Sequence, residues 1–164
     1  MRIRDATMAD LTAVAQLWRA FEEEIPEPAW VDVDTDDELR DVAATLGRGT
    51  VAVVAENEAG ALVGFAIARR WGRRLGRITD LYVVPAARGR GLAGGLVGRI
   101  VGQLRGLGLD TVQLEVVSTN QRARAIYERW GFAEQELTLA TPLDELARRL
   151  ERAGRRQASP CSKA

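Results

Sequence analysis

Histidine is absent from this chain, and cysteine and lysine occur once each, as Cys161 and Lys163. Without histidine the commonest general base is missing, so proton transfer falls to carboxylates, tyrosine or water. A single cysteine excludes a disulfide framework and a cysteine-based metal site, and no metal is expected. Its position near the end of the sequence also argues against a covalent nucleophile, because a frayed tail cannot hold a thiol in place. No apolar run approaches the ~20 residues of a membrane span. The opening Met1-Arg2-Ile3-Arg4-Asp5 passes directly into a β-like run with no leader-like segment, so a cytoplasmic protein without a membrane partner is expected. Charge of one sign is not in excess either: 23 acidic and 23 basic side chains cancel. That balance disfavours nucleic-acid binding through the cluster Arg69, Arg70, Arg73, Arg74 and Arg77.

The chain does have enough apolar material for a core. Its 164 residues are 46% hydrophobic, which suits one domain of ordinary size. Residues 2–6 read as a strand. Thr7 with Asp10 forms a capping box for a helix whose face carries Leu11, Val14, Ala15, Trp18 and Phe21. Thr35 with Glu38 reads as a second capping box, ahead of Leu39, Val42, Ala43 and Leu46. Residues 50–56 and 62–69 are β runs around an Asn-Glu-Ala-Gly turn, and 77–83 completes a meander. A long helix from Leu92 follows, with Gly94 and Gly95 suited to close approach by a cofactor and Gly98 and Gly102 to tight packing on a sheet. Residues 111–117 form the next strand, Asn120 opens a helix closed by Gly131, and 132–140 reads as a last strand. Thr141 caps a final amphipathic helix, and residues 154–164 read as a disordered basic tail after a single domain over 1–153. The fold class is α+β: a mixed, mostly antiparallel sheet flanked by helices, with one parallel step.

The stretch most specific for function runs from Leu81 to Leu96. Residues 81–84 are a short apolar β run ended by Pro85, and helical spacing begins at Leu92. Between them lie Arg88, Gly89, Arg90 and Gly91. A strand, a glycine turn and a helix start point backbone N–H groups and a positive helix end at one spot, which suits phosphate. The alternative is an Arg-Gly segment that binds RNA nonspecifically, but such segments lie in low-complexity tracts rather than between a strand and an apolar helix.

The pattern Arg88-x-x-Gly91-x-Ala93, with Leu81-Tyr82-Val83 before it, resembles the pyrophosphate loop of the GNAT superfamily, the acetyl-CoA-dependent N-acetyltransferases. A second block strengthens the likeness: Leu114-Glu115-Val116, Asn120, then Tyr127-Glu128-Arg129-Trp130-Gly131-Phe132. The resemblance covers residues 2 to 140. It implies a central pair of parallel strands that splay apart, with acetyl-CoA between them as acyl donor. Leu81, Tyr82 and Val83 would pair with the pantetheine arm. Arg88, Gly89, Arg90, Gly91, Leu92, Ala93 and Gly94 would hold the pyrophosphate, and Asn120 would bond the arm unless it is a plain helix cap. Tyr127 would protonate the leaving thiolate, unless it is a core tyrosine packed on Trp130. Asp80 and Glu115 compete as general base; either one is otherwise a solvated strand residue.

The expected activity is direct transfer of acetyl to a primary amine of a small molecule or peptide. The other reading is a CoA-binding regulatory domain without turnover. The resemblance departs at the C-terminus, where one strand and a helix stand in place of a hairpin, leaving room for a homodimer partner there. From Glu22 to Asp41 the chain carries ten acids (Glu22, Glu23, Glu24, Glu27, Asp32, Asp34, Asp36, Asp37, Glu38, Asp41) against Arg40 alone. Either these acids form an acidic wall that favours a cationic acceptor, or they are solvated helix ends.

Overall fold

The computed structural model describes residues 1–24, 34–136 and 139–157. Two compact units are present, Met1–Phe132 and Ala133–Ala164. The first holds a five-stranded sheet in sequential order: β1 (Arg2–Asp5), β2 (Thr50–Glu56), β3 (Leu62–Arg70), β4 (Leu75–Val83) and β5 (Thr111–Leu114). The pairs β1–β2, β2–β3 and β3–β4 are antiparallel, and β4–β5 is parallel. Helices α1 (Leu11–Glu24) and α2 (Thr35–Thr45) cover one face, α3 (Leu92–Gly106) covers the other, and α4 (Gln121–Arg129) follows β5.

The valine- and alanine-rich β2 and β3 are buried on both faces. Val53, Ala55, Ala66 and Ala68 pack toward Leu96, Ile100 and Leu104 of α3. The alternate residues Ala52, Val54, Phe65 and Ile67 pack toward Val14 and Trp18 of α1 and Val42 of α2. This is the strict two-residue alternation of a strand with two dry faces.

Alternation fails at Val63 of β3, where Ala55 pairs with Gly64 but Glu56 with Leu62, and again in β4, where the failure places the chemistry. Ile67 pairs with Asp80 but the next residue, Ala68, pairs with Ile78, so Thr79 is bulged out. Before the bulge Ile78 packs on the α3 face; after it Tyr82 packs on the α1–α2 face while Val83 returns to α3. Unbroken alternation would put Asp80 and Tyr82 with Ile78 beneath α3. The bulge also re-aims the strand. The parallel pairing with β5 stops at Ile78↔Leu114, immediately before it. From Thr79 to Val83, β4 has no strand partner on that side among the described residues, which is the splay the resemblance implies.

Several local expectations change. β5 ends at Leu114, so residues 115–117 lie outside the sheet. Residues 132–136 and 139–140 form no strand, and 137–138 lie outside the described residues. Ala133-Glu134-Gln135-Glu136 has no apolar alternation or β-branched residue to hold one. The second unit contains α5 (Leu143–Gln157), which opens on the Pro142 carbonyl rather than at Thr141 and continues past Gly154. The rest of the expected tail, 158–164, lies outside the described residues. The α2 cap is Asp34, whose carboxylate accepts from Asp36 and Asp37 N–H, not Thr35 with Glu38. Asp10 keeps its place: Thr7 N–H and hydroxyl donate to it at 2.7 and 2.8 Å.

Candidate active site

The turn between β4 and α3 is built from backbone. Gly89 and Gly91 both sit at φ 76°, a region in which a side chain is strained. Gly91 caps α3, so the N–H groups of Leu92, Ala93 and Gly94 face out of the helix start. The Gly95 N–H is the first to find a helical partner, at Gly91 O. Among the described residues the N–H groups of Gly89, Arg90, Gly91, Leu92, Ala93 and Gly94 have no acceptor. Six consecutive donors therefore lie along an exposed turn and the positive helix end that follows it, where an anion would satisfy them. The Arg90 side chain is exposed beside them. Gly94 lies against Trp130, but Gly95 packs against Ile3 of β1 and so serves the fold. Gly98 and Gly102 face open space rather than the sheet.

The unpaired edge of β4 supplies a second set of backbone groups. Val84 N–H donates to Val63 O, so Val83 and its partner Gly64 are a non-hydrogen-bonded pair. The N–H and C=O of Val83, and by alternation those of Leu81, thus face away from β3 into the splay. Tyr82 faces β3 with its backbone and the α1–α2 core with its ring. Arg88, expected to face phosphate, turns back instead: its Nε donates to Val83 O at 2.7 Å and its two terminal nitrogens to Glu24 of α1 at 2.6 Å each.

The two candidate bases stand in different environments. Asp80 is 8% exposed, on the α1–α2 face of β4. Burial pushes its carboxyl up to about 6; Glu38 and Glu22 add to the rise, and Thr79 and Arg69 oppose it. Glu115 lies just past β5 with its side chain 77% exposed, paired with Arg77 at 2.9 Å. An open groove is lined by Glu38, Arg69, Trp71, Arg77, Ile78, Thr79 and Glu115; Asp80, next to Thr79 in β4, does not line it. Trp71 is 59% exposed and carries the Arg77 guanidinium 3.7 Å from its ring centre. Arg69 donates to Glu38 at 3.1 Å and also pairs with Asp41, while its buried Nε has no partner among the described residues. The sequence marks Glu24 and Glu38 only as members of the acidic segment and does not mark Trp71 at all. The partners of the two acids are distant in sequence: Arg88 is 64 residues from Glu24 and Arg69 is 31 from Glu38.

Tyr127 of α4 packs its ring against Trp130 and Phe132, with centroids 5.8 and 5.9 Å apart. Burial raises its hydroxyl above the usual phenol range, so it stays protonated near neutrality. Among the described residues that hydroxyl has no hydrogen-bond partner. Asn120 caps α4, its side-chain oxygen accepting from Ala123 N–H at 3.1 Å.

The acidic segment is largely internally compensated. Glu24 pairs with Arg88, Asp36 with Arg19, Asp37 with Arg40, and Glu38 and Asp41 with Arg69. Glu22 accepts from Thr35 at 2.5 Å, and Asp34 caps α2. Glu27 and Asp32 lie outside the described residues. Among the described residues no helix is long and apolar enough to cross a membrane.

The architecture is α+β: a mixed sheet whose parallel strands part beside a helix start with N–H groups that lack acceptors among the described residues. Residues 11–132 match the model of the Acetyltransferase (GNAT) family, and the chain belongs to that family. It is 49% identical over 57 residues to a mycothiol acetyltransferase of Beutenbergia cavernae, a match covering 35% of this chain and 19% of that protein. The chain therefore spans a small part of that relative. It is 26% identical over 139 residues to an uncharacterized N-acetyltransferase, YhfO, of Bacillus subtilis, covering 82% of this chain and 91% of the relative. Its fold superposes on a predicted acetyltransferase with acetyl-CoA from Clostridium acetobutylicum with a TM-score of 0.71, at 25% identity, covering 88% of this chain and 97% of the other.

Proposed function

We propose that this chain transfers the acetyl group of acetyl-CoA to a primary amine by direct attack. The observation that carries the reading is the run of N–H groups from Gly89 to Gly94 that lack acceptors among the described residues, beside a β4 edge that no described strand pairs. The turn would hold the pyrophosphate, with Arg90 adding charge. The outward groups of Leu81 and the Val83 N–H would bond the amide-bearing arm as a strand would, and the amide of Asn120 would meet the same arm. Acetyl-CoA supplies an activated acyl group on a sulfur that leaves readily as thiolate.

The remaining chemistry belongs to side chains. An alkyl amine of pKa ~10.4 is almost wholly protonated at pH 7, and removing that proton costs roughly 4.6 kcal/mol. Asp80, with its carboxyl near 6, is ionised at neutral pH and basic enough to accept the proton, directly or through water. Glu115 is the competing base at the open end of the groove. The protonated Tyr127 hydroxyl would donate to the leaving sulfur.

A cationic acceptor suits the carboxylates of Asp80, Glu38 and Glu115, but the ion pairs along α2 weaken any long-range steering by the acidic segment. The acceptor of the mycothiol acetyltransferases does not carry over, because the match covers so little of that relative.

The test has two stages. Acetyl-CoA at 100 times its Kd should stabilise the chain by about 2.7 kcal/mol. A panel of amines should then release free CoA with at least one acceptor. No stabilisation at millimolar acetyl-CoA rejects the donor; stabilisation without turnover on any amine leaves a CoA-binding domain.

A further inference from the structure

Arg88 opens the phosphate-loop pattern, yet none of its nitrogens is aimed at the turn. Its backbone N–H donates to Pro85 O at 3.2 Å. Its Nε holds Val83 O, and its terminal nitrogens form a parallel fork on the two oxygens of Glu24. The Tyr82 hydroxyl donates to the same carboxylate at 3.4 Å, and the guanidinium lies 5.5 Å from the Tyr82 ring centre. The Arg88 side chain is half-buried, at 21% exposure, and its partner Glu24 is exposed, at 36%. A two-point fork of this kind fixes orientation as well as distance.

The clamp has a geometric effect on the donor site. Val83 is the last residue of β4, and its carbonyl would otherwise stand open in the splay beside its own N–H. Arg88 occupies that carbonyl and pins the chain reversal that leads to Gly89 and Gly91. Glu24, the last residue of α1, holds Arg88 there. We propose that Glu24 is a positioning residue for donor binding: it clamps Arg88 to the end of β4, so that the turn presents its N–H groups and the pyrophosphate is held without the Arg88 side chain. The inference rests on the reading that the turn holds acetyl-CoA.

Two roles for Arg88 make opposite predictions for Glu24, and calorimetric titration with CoA separates them. With a clamp, Glu24→Gln weakens CoA binding about tenfold. Arg88→Ala weakens it at least as much, and the double variant binds no worse than Arg88→Ala alone. Arg88→Lys fails to rescue, since an ammonium cannot make the fork. In turnover, KM for acetyl-CoA rises in Glu24→Gln while KM for the acceptor stays constant.

If Arg88 is instead a phosphate ligand held back by Glu24, Glu24→Gln frees it and CoA binds more tightly. Arg88→Lys then keeps most of the affinity. Either result overturns the clamp. Glu24→Asp, which keeps the charge but shortens the reach, gives the same reading if Glu24→Gln does not fold: weaker binding supports the clamp and unchanged binding rejects it. A wild-type chain that does not bind CoA rejects the donor reading and this inference together, whereas a wild type that binds, with tighter binding in Glu24→Gln, rejects the inference alone.

Discussion

The turn after β4 and the groove beneath α2 are built in different ways. The turn presents backbone N–H groups, and its shape comes from two glycines at positive φ and from a helix start, all within residues 89–94. The groove presents side chains from α2, the β3–β4 hairpin and the loop after β5, held by Arg–Glu pairs between distant residues. A backbone site tolerates many side chains but few changes at its glycines. A side-chain site tolerates changes at its rim but depends on the one group whose charge is tuned by burial. The variants below test that contrast.

The largest effect is expected at Asp80. Asp80→Asn should lower kcat/KM by about 10²–10⁴-fold, the usual weight of a positioned base. In the wild type, kcat/KM should rise with pH through a limb near pH 6, where the buried carboxyl ionises, and the variant should lack that limb. Stability should move the other way. A carboxyl raised from 3.8 to about 6 in the folded state makes folding less favourable as pH climbs between those values. At pH 7, Asp80→Asn should therefore stabilise the fold, by at most about 3 kcal/mol at 1.36 kcal/mol per unit. A wild-type melting temperature unchanged between pH 4 and 7, with a full rate in the variant, would remove Asp80 from the chemistry.

Gly91→Val should come next, and it probes the turn. A β-branched residue at φ 76° is strained by roughly 1–2 kcal/mol, and its side chain would stand where the anion must approach. Acetyl-CoA should then produce no thermal shift. Gly98→Ala is the control: that position faces open space within α3, and the change should raise helix stability by up to about 1 kcal/mol with donor affinity intact.

Tyr127→Phe should have a smaller effect, lowering kcat about tenfold to a hundredfold with donor affinity unchanged, because a thiolate of pKa near ~8.5 leaves fairly well unaided. An unchanged kcat would leave Tyr127 as a packing partner of Trp130 and Phe132. The smallest effect is expected at Glu115→Gln. An exposed ion pair contributes only about 0–1 kcal/mol, so kcat/KM should stay within a few-fold. A loss as deep as that of Asp80→Asn, measured side by side, would transfer the base role to Glu115.

The helical and strand periods made the order of elements legible through α4, and the glycine turn was legible because its geometry is local. The bulge was not. Thr79 between Ile78 and Asp80 is unremarkable in sequence, and the extra residue appears only when β3 pairs past it. Reading on by simple alternation would bury Asp80 beneath α3. Arg88 illustrates a second limit. The motif places it at the phosphate turn, but its pairing with Glu24, far away in the chain, is not legible in the sequence. Of the strand expected at residues 132–140, the stretch 132–136 is irregular, and Ala133 to Glu136 hold two carboxylates and no β-branched residue.

By itself the sequence determined where backbone must turn, where helices start and which faces are apolar. These are decided within a few residues by φ preference, capping and spacing. Tertiary structure alone decided which carboxylate is dry, which arginine is already paired and which strand edge is left open. Burial, ion pairing and register are properties of segments that meet from distant parts of the chain.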